Sequence, residues 1–395
     1  MSLIDHRATI AAHPTGSALR IGEYANPVVY ERERARLFRP GTGLLYLDHD
    51  RLWSGAGVRR ADGDPRLLMS RDGDHVRALA NLCSHALRPL IDDDSVNDRA
   101  ALTCPYHQWS YRRDGAFIGG PGCEFGTGEV GERERRALDL REFDTLQWHG
   151  MSFVVDGDHR ADFEADLATL DASLIGHGID ASIGSEWGLR NSTDDHYATD
   201  WKIFLEVFGD CYHVPPFHEG LAAFADCDTL QWEFGAHFHA QYLKFAAAGG
   251  RPSALYERWA DGIARDARAR GDEVDELAVA WVAIYPNVMI EFYAGLRVIS
   301  IVIPTGPNSF VNRAHFFVRA DSDRFVPGLA DTMIAAYHET AEQDIELVET
   351  RGRGIATARA LDLDNSGYLV QTSGTGPEAG VAHFHDWWRR AMAQS

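Results

Sequence analysis

Residues 200–221 read DWKIFLEVFGDCYHVPPFHEGL. On a continuous helix, Glu206, Asp210 and His213 fall at i, i+4 and i+7, which is one stripe. His218 lies five residues past His213 and would point away from that stripe. Pro215 and Pro216 intervene, and proline inside a helix removes a donor and clashes with the preceding turn. The expectation is a helix broken at the prolines, with His218 swung back toward His213. Two neutral imidazoles beside carboxylates bind a divalent first-row metal. Two histidines and one carboxylate with open positions suit non-haem Fe(II) that activates dioxygen. A merely polar helix end gives the same letters, so this stretch alone leaves both readings open.

The 395 residues predict one large or two ordinary domains, and a hydrophobic share of 45% with 25% charged residues is that of a globular protein. A net charge of −21 disfavours a nucleic-acid partner and anionic membranes, because their phosphates would repel it. No apolar run is long enough to span a bilayer, and the N-terminus lacks the pattern of a signal peptide, so a cytoplasmic location is expected. Five cysteines in such a chain do not suggest a disulfide framework. Cys83 and Cys104 have histidines at short offsets. Cys123, Cys211 and Cys227 read as ordinary thiols; Cys211 adjoins the histidine stripe but shows no matching partner.

Residues 28–38 read as a short helix. From about 41 to 155 the segments are short and strand-like, separated by Gly, Asp and Asn, which predicts a small all-β domain. Residues 161–175 read as an amphipathic helix. Beyond residue 184, strand-like runs at 188–198, 230–245, 279–292, 295–303 and 312–318 alternate with helices expected at 252–270, 327–351 and 377–392. The fold class is therefore α+β, with an antiparallel sheet flanked by helices. The domain boundary is placed near residue 160.

Within the β half, Cys83-Ser-His85 is followed after eighteen residues by Cys104-Pro-Tyr-His107. Each half supplies one thiolate and one imidazole. Cys₂His₂ suits either a closed structural zinc or a Rieske [2Fe–2S] centre. Zinc fingers usually pair like ligands in sequence, whereas here each half is mixed, which favours the iron–sulfur reading.

These two motifs, in this order and about a hundred residues apart, resemble the large (α) subunit of the Rieske non-haem iron oxygenases. The closest flavour is the stand-alone type, which includes aromatic-ring hydroxylases and quaternary-amine demethylases. The resemblance runs from about residue 40 to the C-terminus. It implies a helical segment at 1–40 packing on the catalytic domain, a Rieske [2Fe–2S] domain at 41–160, and a mononuclear iron domain at 161–395. The catalytic domain would be an antiparallel sheet plus helices of the helix-grip, START-like kind. Three features depart from the family pattern: Ala86 and Leu87 separate His85 from Arg88, the loop before Cys104 is slightly long, and Glu206 stands where asparagine is frequent.

By the same resemblance, Cys83 and Cys104 would hold one iron of the cluster, and His85 and His107 the other. Pro105 and Trp109 would shape and cover the loop. His213 and His218 would bind the mononuclear Fe(II), with the third ligand, Asp344, from the segment EQDIELVET; Glu342 and Glu346 compete with it. Asp210 would be the bridging acid between His213 and a cluster histidine of a neighbouring subunit in a homotrimer. O₂ would be the co-substrate. NAD(P)H would supply electrons indirectly through a separate reductase, with or without a ferredoxin, since no dinucleotide-binding glycine motif appears. The implied reaction hydroxylates or oxidatively demethylates a small aromatic or alkylammonium molecule. The substrate pocket is expected between the iron helix and the sheet. His237 and His239 alternate with phenylalanine and are not counted as ligands. Two alternatives remain at this point: a Rieske electron carrier without a functional mononuclear site, and a structural zinc protein.

Overall fold

Proline's fixed φ and missing N–H suit the first turn of a helix, and α1 (Pro27–Arg36) begins on one. The computed structural model describes residues 19–53, 55–73, 75–126, 128–246, 253–271, 277–363 and 376–393. Residues 1–18 of the expected N-terminal segment, and Pro252 at the expected start of a helix, lie outside the described residues. The chain divides into one unit of residues 37–164 and another that joins residues up to 36 with residues 165–395.

The first unit is built from short strands, as its turn-rich sequence requires. These are β1 (Leu44–His49), β2 (Gly57–Arg60), β3 (Leu67–Asp72), β4 (His75–Ala80), β5 (Ala101–Thr103), β6 (Ser110–Arg112) and β7 (Phe117–Gly119), then helix α2 (Gly128–Arg136), β8 (Glu142–Phe143), β9 (Thr145–Trp148) and β10 (Met151–Val155). They form three small sheets ordered β1-β10-β9, β2-β3-β4-β8 and β5-β6-β7. A core of Leu68, Leu79, Leu102, Tyr111 and Phe117 also encloses Cys83 and Cys104.

The second unit opens with the later part of α3 (Arg160–Gly176), then β11 (Trp187–Tyr197), α4 (Trp201–Phe208), α5 (Val214–Phe217) and α6 (Glu219–Phe224). Next come β12 (Ala225–Phe234), β13 (Phe238–Phe245), α7 (Ala254–Arg270), β14 (Leu277–Ile284), β15 (Val288–Tyr293), β16 (Leu296–Gly306) and β17 (Ser309–Arg319). The chain ends with α8 (Ser322–Phe325), α9 (Leu329–Ala360) and α10 (Ala379–Ala393). Seven antiparallel strands are ordered β11-β17-β16-β15-β14-β13-β12, so the α+β class holds. Two expected strands each prove to be a hairpin. The run at 230–245 turns near Gly235, and the run at 279–292 turns at Pro286. Both arms of each hairpin are apolar, so hydrophobicity alone did not show the reversal. Helix α9 is longer than expected, at 32 residues.

Buried charges fasten α4 in place. Lys202 is fully buried, and its Nζ lies 2.7 Å from Glu33 Oε1 and 2.9 Å from Asp200 Oδ2. Glu33 also accepts the indole N–H groups of Trp201 and Trp388. One turn on, Glu206 accepts Tyr24 Oη at 2.5 Å, His385 Nε2 at 3.0 Å and an Arg351 guanidinium nitrogen at 2.6 Å. Burial alone would raise the Glu206 carboxyl, but Arg351, His385 and Tyr24 outweigh it and bring it from 4.5 to about 2. A carboxyl depressed by folding contributes stability that is present above its unfolded pKa and is lost as pH falls through the folded one. Here that window runs from 4.5 down to about 2. Glu206→Gln is expected to lower stability at pH 7 by roughly 3–5 kcal/mol, since it unbalances a buried ion pair. It should also flatten the acid limb of a urea-denaturation series between pH 5 and 2; an unchanged limb would show that Glu206 is not the titrating group.

Candidate metal centres and active site

Gly209 caps α4, and the helix stops there rather than at the prolines. A Cβ at this position would meet backbone atoms of Gly380 and Val381 at 3.1 Å, so any larger residue would crowd this close approach. The stripe expected for Glu206, Asp210 and His213 therefore does not exist. Glu206 points into the packing network described above, while Asp210 and His213 lie beyond the helix end. Pro215 and Pro216 do not break a helix either. They sit in the first turn of α5, where a missing N–H costs little. His213 caps the start of that single turn and His218 its end. One short turn thus brings the two rings face to edge, with centroids 5.0 Å apart at 77°.

Asp344 meets them from α9. Its Oδ1 is 3.0 Å from His218 Nε2 and 3.6 Å from His213 Nε2. Among the described residues, this is the one set of three or more His, Cys, Asp and Glu side chains whose donor atoms lie within 4.8 Å of one another. Glu342 and Glu346, the competing acids, are exposed. Gln343, which sequence reasoning did not single out, accepts a hydrogen bond from His218 Nδ1 at 2.7 Å. With Nδ1 committed to Gln343, His218 meets Asp344 through Nε2, the nitrogen a metal would take. Asp210 Oδ2 lies 3.2 Å from His213 Nδ1, close but not aligned for a hydrogen bond. Its Oδ1 accepts the backbone N–H of Tyr212 at 2.6 Å. Burial lowers the basicity of His213, yet Asp210 and Asp344 more than compensate and raise it to about 9. The same negative potential would favour a divalent metal, so the donor set fits a mononuclear iron with two imidazoles and one carboxylate.

A cavity of about 890 Å³, counting its open mouth, lies against these residues. Its walls are α4, α9 and one face of β11, β15, β16 and β17, with Trp281 from β14. Phe204, Phe208, Tyr293, Phe316 and Tyr337 give it several aromatic walls. The strand residues that line it alternate, as in Thr193, Asp195 and Tyr197 or Met289, Glu291 and Tyr293, which is the period of a sheet face. None of the residues at 230–245 lines it. His237 instead lies beside Asp166, and His239 bonds Tyr285 Oη at 2.6 Å. Cys211, read from sequence as lacking a partner, has one: its Sγ donates to Cys227 Sγ at 3.0 Å.

The two Cys/His loops share one backbone design. Cys83 N–H donates to Arg88 O, and Leu87 N–H to Cys83 O. In the second loop Cys104 N–H donates to Trp109 O, and Gln108 N–H to Cys104 O. Leu87 and Gln108 occupy the same slot with φ of 57° and 62°. Both cysteines are buried and both histidines exposed. The His85 and His107 rings have centroids 4.6 Å apart, and Trp109 stacks on His85 at 4.6 Å. Gly120 makes room for that indole, because a Cβ there would lie 2.4 Å from it. Pro105 is exposed. Burial would raise the Cys83 thiol, but bonds from the Tyr111 hydroxyl, the His85 backbone N–H and Cys104 lower it. Such donors suit a thiolate that ligates iron. Two buried cysteines beside two exposed histidines suit two different irons better than one tetrahedral ion.

Comparison with known proteins matches both halves of the chain. Residues 184–394 match the family model described as the ring hydroxylating alpha subunit, catalytic domain. Residues 47–127 match the Rieske [2Fe-2S] domain. The chain belongs to the ring-hydroxylating alpha-subunit family and is an enzyme of the Rieske non-haem iron oxygenase class. It is 29% identical over 389 residues to a putrescine 2-hydroxylase of Ralstonia nicotianae, covering 96% of each chain. It is 23% identical to the glycine betaine monooxygenase oxygenase subunit of Chromohalobacter salexigens, covering 83% of this chain and 75% of that one. Its fold is that of a quaternary ammonium Rieske monooxygenase, with a TM-score of 0.74, 16% identity and 96% coverage of both chains. It also matches naphthalene 1,2-dioxygenase from Rhodococcus sp., with a TM-score of 0.71, 16% identity, and 95% and 94% coverage. Among the described residues no helix is long and apolar enough to cross a membrane.

Gln343→Leu is expected to weaken iron binding at the His213–His218–Asp344 site by roughly 10–100-fold, because His218 loses the acceptor that orients it. Competitive chelation reads that loss, and the visible absorbance of the cluster should be unchanged. At the first loop, the left-handed conformation of Leu87 costs about 1 kcal/mol that glycine avoids, and the leucine side chain is exposed. Leu87→Gly should therefore raise the thermal midpoint of this unit; a lower midpoint would mean that contacts of the leucine hold the loop.

Proposed function

We propose that this chain is the oxygenase component of a system that hydroxylates or oxidatively demethylates a small organic amine, using O₂ and electrons from a separate NAD(P)H-dependent reductase, with or without a ferredoxin. One observation carries the reading: His213, His218 and Asp344 converge on an aromatic-rich cavity that, among the described residues, no Lys or Arg lines. An amine is favoured over an aromatic hydrocarbon because a pocket of carboxylates and aromatic faces suits a cation. The names of the putrescine, glycine betaine and carnitine relatives point to the same class.

His213, His218 and Asp344 would hold the mononuclear iron, and Cys83, Cys104, His85 and His107 the [2Fe–2S] cluster. Bound there, these centres supply one-electron transfer and the activation of dioxygen. The rest is the work of the chain. Gln343 fixes the tautomer of His218. Asp210, beside His213 Nδ1, is the bridging acid, which keeps that imidazole oriented and faces a cluster histidine of a neighbouring copy in a homotrimer. The exposed edges of His85 and His107 are where an electron donor reaches the cluster. The aromatic walls hold the substrate and exclude water from the reacting atoms.

The carrier alternative was motivated by Glu206 and by the altered flank of the first Rieske loop; the role of Glu206 in packing removes the first of these motives. Three irons per chain, together with amine-dependent oxygen uptake in the presence of a reductase, are expected. Two irons per chain would select the carrier instead. Asp210→Ala should keep both centres loaded while reduction of the mononuclear site slows by about two orders of magnitude or more, as for other removals of an orienting partner. Normal turnover with full coupling in this variant would remove Asp210 from that role.

A further inference from the structure

Glu291 sits mid-strand on β15, and its flanking cavity residues Met289 and Tyr293 place it on the face that looks into the pocket. It is 6% exposed. Both carboxylate oxygens are held: Tyr337 Oη donates to Oε1 at 2.6 Å, and Tyr293 Oη to Oε2 at 2.8 Å. Trp281 Nε1 in turn donates to Tyr293 Oη at 3.0 Å, so the acid is fixed by a relay rather than by one contact. Each oxygen keeps a further lone-pair direction. Among the described residues no guanidinium or ammonium group lines this cavity, and neither oxygen of Glu291 is held by a cationic side chain. Burial accordingly pushes the carboxyl up to about 7, with the two tyrosines resisting the shift. A buried acid in this condition is stabilised by a cation that enters with its own hydrogen-bond donors.

A second polar element lies elsewhere on the same sheet face. Asp195 on β11 and Asn312 on β17 are direct cross-strand partners, and both line the cavity. Asn312 is 5% exposed, and its buried Oδ1 has no hydrogen-bond partner. It is an acceptor awaiting a donor. On α9, Tyr337 and Asp344 are seven residues apart, so the anchor of Glu291 is roughly 10 Å along the helix from the carboxylate of the metal triad. That separation leaves room for a short carbon chain between a group bound at Glu291 and the reacting position.

We propose that Glu291 is the specificity residue of this cavity: its carboxylate binds a primary ammonium group of a short linear aliphatic amine, and Asp195 with Asn312 accepts hydrogen bonds from a second ammonium at the other end. This assignment rests on reading the cavity as the substrate site. A quaternary ammonium group has no N–H to give to Glu291 or to Asn312 Oδ1, so the pocket selects a diamine with free N–H groups. Tyr293 and Tyr337 are positioning residues that hold the carboxylate.

The test is calorimetric titration of the full chain, with both metal centres loaded, against 1,4-diaminobutane, 1,4-butanediol and tetramethylammonium. Wild type should bind the diamine roughly 10- to 100-fold more tightly than either of the other two, the range expected for a hydrogen bond to a buried charge. Glu291→Gln should remove that preference by weakening the diamine far more than the diol, which a purely structural acid would not do. Equal binding of the three by wild type overturns the proposal even where the variant fails to fold, and so does a preference that survives in a folded Glu291→Gln protein. Oxygen-uptake assays separate this outcome from the fate of the oxygenase reading. Glu291-dependent diamine binding without any uptake preserves the assignment and sinks that reading. Uptake with a neutral aromatic substrate, indifferent to Glu291→Gln, does the reverse.

Discussion

The ion pair between Arg351 and Glu206 sets the position of α9 along α4, and the site depends on that position. Glu206 lies seven residues before His213, and Arg351 seven residues after Asp344. Joining the outer pair at 2.6 Å brings the inner pair within reach of one another. The cost of burying Glu206 is offset by three partners rather than one. Those partners come from the segment before α1, from α9 and from α10, so residues distant in sequence converge on one carboxylate. A hydrophobic contact at this point would have allowed α9 to slide, whereas a fork of hydrogen bonds does not.

The same helix carries the other half of the arrangement. Tyr337, Asp344 and Arg351 follow at intervals of seven, which keeps them on one stripe with only about 20° of drift per interval. The first holds Glu291, the second faces the two histidines, and the third holds Glu206. On the sheet side, alternate residues of β11, β15 and β17 supply the polar contacts of the cavity. The hold on Glu291, the approach to the two histidines and the packing lock thus share one helical face laid over one sheet face.

How much of this was legible depended on whether the signal was local. The Cys83–His85 and Cys104–His107 motif is local, and its ligand types can be read from four letters and a spacing. The matching backbone bonds of the two loops could not be read, because Leu87 and Gln108 are unusual choices for a left-handed residue. His213 and His218 converge after a break, as expected, but the break was put at the prolines. Gly209 looked unremarkable until the close approach of Gly380 and Val381 explained it. Asp344 stood among acids on a charged helix, and only its resemblance to a family pattern singled it out. Gln343 and Glu291 gave no signal, since each acquires meaning from a partner 125 or 46 residues away.

The heptad spacing on α9 has an evolutionary consequence. Point changes on this helix can be absorbed one at a time, but removing or adding a single residue between 337 and 351 rotates one end against the other by about 100°. Such an event would take Tyr337 or Arg351 out of register with Asp344 in one stroke. Length variation among descendants of this chain should therefore collect in its connecting loops, while this segment of α9 keeps a fixed length as its side chains diverge.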